Sequence, residues 1–168
     1  FILAILMAGC KESNDKATRS NDGRADPYGG FWIGTMGLAA EPHAGSIYRF
    51  FEGEIVKLFP NITISNSICF SPDKKFGYFC DTPERKIMRV SLDQKGWPSS
   101  DPEVFIDLQE TNLNPDGAVI DLSGYLWSAQ WGASRVARYD RNGCFVSELK
   151  FNAKQISCPA FGGKNMST

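Results

Sequence analysis

Three stretches of this chain repeat one another at intervals of 47 and 48 residues, and that period restricts the fold more than any other feature. They are Asp26-Pro-Tyr-Gly-Gly-Phe-Trp-Ile-Gly34, Ser71-Pro-Asp73-Lys-Lys-Phe-Gly-Tyr-Phe-Cys80 and Asp121-Leu-Ser-Gly-Tyr-Leu-Trp-Ser128. In each, an Asp opens a turn and an aromatic strand follows. A second submotif recurs in phase: Ile47-Tyr-Arg49, Ile87-Met-Arg89 and Val136-Ala-Arg138. A period of about 40–50 residues with four short strands per unit marks the blades of a β-propeller. One blade is a small twisted sheet that cannot bury its faces alone. At this period the chain holds about three and a half blades, and a closed ring needs about four to eight. The expected fold is all-β, a β-propeller of about three to four blades. The remaining blades then lie beyond the ends of this chain or come from another chain.

The rest of the sequence agrees with short strands. No stretch of a dozen residues keeps a helical spacing of apolar positions. Strands are expected at Phe31–Thr35, Ser46–Phe50, Glu54–Phe59, Ile68–Phe70, Gly77–Cys80, Lys86–Ser91, Val104–Asp107, Ala118–Ile120, Leu126–Ala129, Arg135–Tyr139 and Phe145–Leu149. Turn-forming clusters such as Glu52-Gly53, Ser123-Gly124 and Arg141-Asn-Gly143 separate them.

Charge and cysteine usage exclude several functions. The net charge of −1 is mixed in sign and gives no basic footprint for nucleic acid. Cys10, Cys69, Cys80, Cys144 and Cys158 are widely spaced with no Cys-x-x-Cys pair, so they read as buried or free thiols of a reducing, cytoplasmic compartment. His43 is the only histidine, which excludes a multi-histidine zinc site. No Gly-x-Ser-x-Gly elbow is present, so a Ser-His-Asp esterase is a poor fit. The apolar run Phe1–Cys10 is too short to span a bilayer. It reads as a strand or the damaged end of a fragment, with a lipoprotein anchor as the alternative. The expected organisation is an apolar segment at 1–16 followed by a partial propeller domain at 17–168.

The innermost strand of each propeller blade lines a central channel, and each repeat places a polar residue at its entrance. Asn21 precedes Asp26 by five residues, Asn66 precedes Asp73 by seven, and Asp116 precedes Asp121 by five. Equivalent positions of successive blades converge on one axis. Amide and carboxylate oxygens gathered there would suit a hard divalent cation such as Ca²⁺ or Mg²⁺. Arg19 would add a cationic donor for hydroxyl or carboxylate groups. Taken singly, Asn-Asp-Gly and Pro-Asp-Gly are also ordinary turn sequences.

Six separated segments closely resemble the gluconolactonase / regucalcin (senescence marker protein) family. They are Thr18-Arg-Ser-Asn-Asp-Gly-Arg-Ala-Asp-Pro27, Phe31-Trp-Ile-Gly-Thr-Met-Gly37, Ile64-Ser-Asn66, Asn114-Pro-Asp-Gly-Ala118, Leu126-Trp127 with Ala129-Gln-Trp-Gly132, and Cys158-Pro-Ala-Phe-Gly-Gly163. They occur in family order from about Ala17 to Gly163. The resemblance implies a six-bladed propeller that hydrolyses sugar lactones, such as glucono- or arabinonolactone, to aldonic acids. It implies that Asn66 and Asp116 are ligands of one divalent metal ion (Ca, Mg, Mn or Zn). It implies that Asp116 is also the general base toward water, and that Arg19, Asn21 and, more loosely, Glu41 contact the substrate. The family's further ligand, a Glu in a Gly-Glu-Gly-Pro motif, has no counterpart in this sequence. Two other readings follow: a non-catalytic propeller that binds calcium or a partner protein, and an inactive fragment with exposed sheet edges.

Overall fold

The computed structural model describes residues 17–164. The apolar segment at 1–16, with its strand and lipoprotein readings, lies outside the described residues. Twelve strands follow in order: β1 Thr18–Ala25, β2 Phe31–Gly37, β3 Gly45–Phe51, β4 Glu54–Ile62, β5 Ser65–Phe70, β6 Phe76–Asp81, β7 Lys86–Ser91, β8 Glu103–Asp107, β9 Asn114–Ile120, β10 Leu126–Trp131, β11 Arg135–Tyr139 and β12 Phe145–Lys150. A 3₁₀ turn, Thr82–Glu84, is the one helical element among the described residues. No helix there is long and apolar enough to cross a membrane.

The strands form three antiparallel four-stranded meanders, β1 to β4, β5 to β8 and β9 to β12. The first strands of the three sheets lie side by side, β1 against β5 and β5 against β9. This is the arrangement of three consecutive propeller blades, and the expected fold class holds. Burial follows from it. β5 and β6 are sandwiched between neighbouring sheets and almost entirely buried, while β12 is an exposed outer edge.

Apolar side chains from facing sheets fuse the blades. Between the first and second lie Trp32, Ile47, Ile68, Phe79 and Val90, with Phe59 stacked on Phe79 at 4.3 Å. Between the second and third lie Tyr78, Ile87, Ile106, Leu126 and Tyr139. Burying large aliphatic and aromatic groups supplies most of the stabilisation, about 1.5–3 kcal/mol for each side chain removed from water.

The two recurring submotifs meet in the turns. Asp26 Oδ1 accepts the amides of Tyr28 and Gly30 at 2.8 and 3.0 Å, and its Oδ2 accepts Arg49 Nε at 2.7 Å. In the third blade Asp121 accepts the Tyr125 amide at 2.9 Å and Arg138 at 3.3 Å. The second blade departs from the sequence alignment. There Ser71, not Asp73, holds the equivalent place: its hydroxyl accepts the Phe76 amide at 2.9 Å. Asp73 sits two residues further into the turn and accepts the Ser71 hydroxyl at 2.6 Å. With no carboxylate at position 71, Arg89 pairs instead with Glu103.

Several strands run longer than expected, β4 to Ile62 among them, and the three innermost differ at their starts: β1 is absent from the expected strands, β5 begins at Ser65 rather than Ile68, and β9 begins at Asn114 rather than Ala118. The missed portions of these three are polar and turn-like in sequence.

Candidate functional site

Each innermost strand carries one extra residue at the same place. Ser20 to Gly23 of β1 faces Thr35 to Ile33 of β2, Asn66 to Cys69 of β5 faces Cys80 to Tyr78 of β6, and Pro115 to Ala118 of β9 faces Gln130 to Ser128 of β10. In every case three steps oppose two, which is a β-bulge. Bulges re-aim side chains and recur next to functional sites. Ser67 takes a left-handed backbone there, with φ of 56°.

The three bulges hold Asn21, Asn66 and Asp116 and are tied to one another across the blades. Asp22 Oδ2 accepts the Ile68 amide at 2.8 Å, joining β1 to β5. Ser67 Oγ donates to the Asp116 carbonyl at 2.5 Å, joining β5 to β9. The Gly117 amide donates to the Ser157 carbonyl at 2.7 Å, joining β9 to the segment after β12. A Cβ on Gly117 would stand 2.7 Å from Cys158 Sγ, so the close approach of that segment requires glycine. Arg24 donates to the carbonyls of Ile68 and Ala118 at 3.3 and 3.1 Å and so bridges all three inner strands.

A continuous run of side-chain hydrogen bonds crosses the same end. Arg19 Nη1 donates to Asn21 Oδ1 at 3.2 Å. Asn21 Nδ2 donates to the Ser65 carbonyl at 2.9 Å and to Asn66 Oδ1 at 3.2 Å. Asn66 Nδ2 donates to Thr82 Oγ1 at 2.9 Å, and Thr82 Oγ1 donates to the Pro115 carbonyl at 2.8 Å. The run starts at an exposed arginine and ends on the residue before Asp116. The run thus joins the side chains of Arg19, Asn21 and Asn66 at one end of the inner strands and brings the backbone of Asp116 beside them.

Glu41 is not joined to this cluster. It lies in the loop between β2 and β3, at the Arg19 end of the first blade, and its Oε2 accepts the Ala39 amide at 3.0 Å. Sequence reading also passed over Asp22, Ser67, Arg24 and Thr82. Asp22 and Ser67 had a signal, since each follows a predicted site residue within the bulge. Thr82 had none, because its role depends on β6 ending beside β9.

Two carboxyl groups of the inner strands are raised above the ordinary carboxylate range. Burial pushes the Asp116 carboxyl up to about 6; the Gly117 amide opposes this, and the charge of Asp22 adds to it. Burial likewise raises Asp22, against the pull of the Ile68 and Gly23 amides and of Arg24. Among the described residues Asp116 has no ion-pair partner. No group of three His, Cys, Asp or Glu among them is placed to hold a metal ion. Of the two expected cation ligands, Asn66 Oδ1 accepts from Asn21 Nδ2, and Asp116 lies in the neighbouring inner strand with its carbonyl bonded to Ser67. At the other end of the inner strands a cavity of about 440 Å³ opens between Arg24, Phe70, Val119 and Phe161, away from this cluster.

The family model for the SMP-30/Gluconolactonase/LRE-like region matches residues 4–168. The chain belongs to this family. A Rhizobium meliloti (strain 1021) member, provisionally named a sugar lactone lactonase, is 48% identical over 146 residues, covering 86% of this chain and 50% of that protein. An L-arabinolactonase of Azospirillum brasilense is 37% identical over 151 residues, covering 88% and 50%. The crystal structure of regucalcin from Agrobacterium tumefaciens strain C58, described as a calcium-binding protein, superposes with a TM-score of 0.89 at 47% identity, covering 92% of this chain and 52% of that one. The chain spans about half the length of the relatives it matches.

Proposed function

We propose that this chain carries the substrate-facing and cation-facing part of a sugar-lactone hydrolase centre, one that opens an aldonolactone to its aldonic acid. What supports this reading is that the bulge carrying Asn66 is bonded to the backbone on either side of the Pro115–Asp116 link, through Ser67 and through Thr82.

A divalent cation fits the donors present. A half-buried carboxylate without a basic partner among the described residues, raised by burial and by a neighbouring acid, gains by a nearby positive charge. Amide and carboxylate oxygens are hard ligands suited to Ca²⁺, Mg²⁺, Mn²⁺ or Zn²⁺. Asn66 and Asp116 would hold the ion. When bound, such an ion polarises a carbonyl and lowers the pKa of water.

The chain's own residues would do the rest. Asp116 accepts a proton from the water whose oxygen attacks the lactone carbonyl carbon. That proton then passes to the ring oxygen as the ring C–O bond breaks. General-base assistance of this kind contributes about 10²–10⁴-fold. Arg19 presents donors to the sugar hydroxyls, Asn21, whose two amide hydrogens are already used, offers its Oδ1 as an acceptor beside it, and Glu41 stands further out on its loop. The four described cysteines are free thiols, which suits a reducing, cytoplasmic setting.

A second reading is a calcium-binding propeller without turnover, favoured by the description of the Agrobacterium relative. Assaying the complete protein on a panel of aldonolactones, with calcium and with a chelator, separates the two. Turnover abolished by chelator supports the hydrolase. Calcium binding with no turnover on any lactone supports the second reading.

A further inference from the structure

We propose that Thr82 is a positioning residue that fixes which end of the Asn66 side-chain amide faces the mouth; this rests on the hydrolase reading, in which Asn66 Oδ1 is a cation ligand.

An asparagine amide can be turned by 180° with little change of shape, so something must set its sense. Thr82 does so through the direction of its single proton. The Pro115 carbonyl, 2.8 Å from Thr82 Oγ1, can only accept. The Thr82 hydroxyl must therefore donate to it. Having used its proton, the hydroxyl can only accept from Asn66, 2.9 Å away. Nδ2 of Asn66 is thereby turned toward Thr82, and Oδ1 is turned toward Asn21 and the mouth. The reversed amide would set its oxygen against the lone pairs of Thr82.

The sense is consistent along the whole run. Asn21 Nδ2 donates to the Ser65 carbonyl, another obligate acceptor, and so meets Asn66 with a donor and not an acceptor. Thr82 itself is anchored at both ends of its peptide. Its amide donates to the Ile64 carbonyl at 3.0 Å, and its carbonyl accepts the Arg85 amide at 3.1 Å. Asp81, just before it, accepts the Thr63 and Ile64 amides at 2.8 Å each. The hydroxyl is thus presented from a rigid corner where β6 ends beside β9. Partners that orient a cation ligand from behind typically change affinity by about 10- to 100-fold when lost.

The test uses Thr82→Val, which keeps the shape and removes the hydroxyl, and Thr82→Ser, which restores it, with Thr82→Ala as a second deletion should the valine chain misfold. Two quantities are read in the full chain: the side-chain amide resonances of Asn66 without cation, assigned by their loss in Asn66→Asp, and calcium affinity by calorimetry. Thr82→Val is expected to shift the Asn66 amide pair and speed its exchange, and to weaken calcium binding by about 10- to 100-fold, with Thr82→Ser restoring both. Unchanged Asn66 resonances in the deletion variants, or no recovery in Thr82→Ser, would overturn the assignment. Failure of the wild-type chain to bind any of Ca²⁺, Mg²⁺, Mn²⁺ and Zn²⁺ would sink the cation-centre reading instead, while the amide resonances still decide the role of Thr82.

Discussion

Ser67 Oγ donates to the backbone carbonyl of Asp116 across the boundary between the second and third blades, at 2.5 Å. Ser67 is fully buried, and its bulge also carries Asn66. This hydroxyl joins the Arg24 bridge and the Thr82 link in tying the two proposed ligand strands together.

Ser67→Ala leaves that carbonyl without its donor. A buried acceptor left unpaired costs about 1–3 kcal/mol. The expected result is a destabilisation of that size in urea unfolding, together with weaker divalent-cation binding. A variant with unchanged unfolding midpoint would show that the bulges hold their spacing without this bond.

The repeated turn–arginine pairing predicts unequal costs in the blades. Asp26 and Arg49 are both fully buried and bonded at 2.7 Å, and Arg49 lies between Phe51 and Trp97. Removing one member of a buried pair strands the other charge, at about 3–5 kcal/mol. Asp26→Ala should therefore be severely destabilising. Glu103, the partner of Arg89 in the second blade, is 62% exposed, and Glu103→Ala should cost less than about 1 kcal/mol. Equal midpoint shifts for the two variants would contradict the difference.

The raised Asp116 carboxyl gives a signed pH dependence. Its ordinary value is 3.8 and burial lifts it to about 6, so the folded, cation-free chain holds this proton more tightly than the unfolded chain. The stability this group contributes is complete below about 4 and is lost as pH rises through about 6. Protons and a divalent cation compete for the same oxygens, so calcium binding should strengthen between pH 5 and pH 7. Removing the neighbouring charge with Asp22→Asn should lower the Asp116 midpoint in a carboxyl NMR titration. A midpoint near 4 in the wild-type chain would contradict the environment described.

Thiol reactivity should divide by burial. Cys69 and Cys80 are buried; Cys80 is pushed up to about 12 by burial, and burial raises Cys69 as well. Cys144 and Cys158 are exposed. An aromatic disulfide reagent should label Cys144 and Cys158 in the native chain, and Cys69 and Cys80 only after unfolding. Rapid native labelling of Cys80, which donates toward Ser67 and Pro115, would mean that the boundary between the second and third blades opens.

The blades were legible because their middle strands obey ordinary β-sheet rules. Phe31–Thr35 and Leu126–Ala129 are aromatic and β-branched or small, flanked by Gly and Asp, and their third strands repeat an arginine opposite an aromatic residue. The innermost strands were illegible for the opposite reason. Thr18–Ala25 and the start of Asn114–Ile120 are rich in Asn, Asp, Gly, Ser, Pro and Arg, polar and turn-forming residues. They form strands because tertiary bonds from Asp22, Arg24 and Ser67 satisfy their bulged backbones. Two of these polar residues, Arg19 and Asn21, begin the run of side-chain hydrogen bonds. Ser71 was misaligned because it performs the work of an aspartate through a hydroxyl, and Thr82 was missed because its partners come from two other strands.

The most direct measurement is the rate at which the complete protein opens an aldonolactone when Asp116 is changed to Asn. The side chain keeps its size and loses its charge and its basicity. A loss of at least about 10²-fold in kcat/KM, with the fold intact by circular dichroism, is the predicted result. Hydrolysis at the wild-type rate would remove Asp116 from the chemistry, and with it the meaning given to its meeting with Asn66.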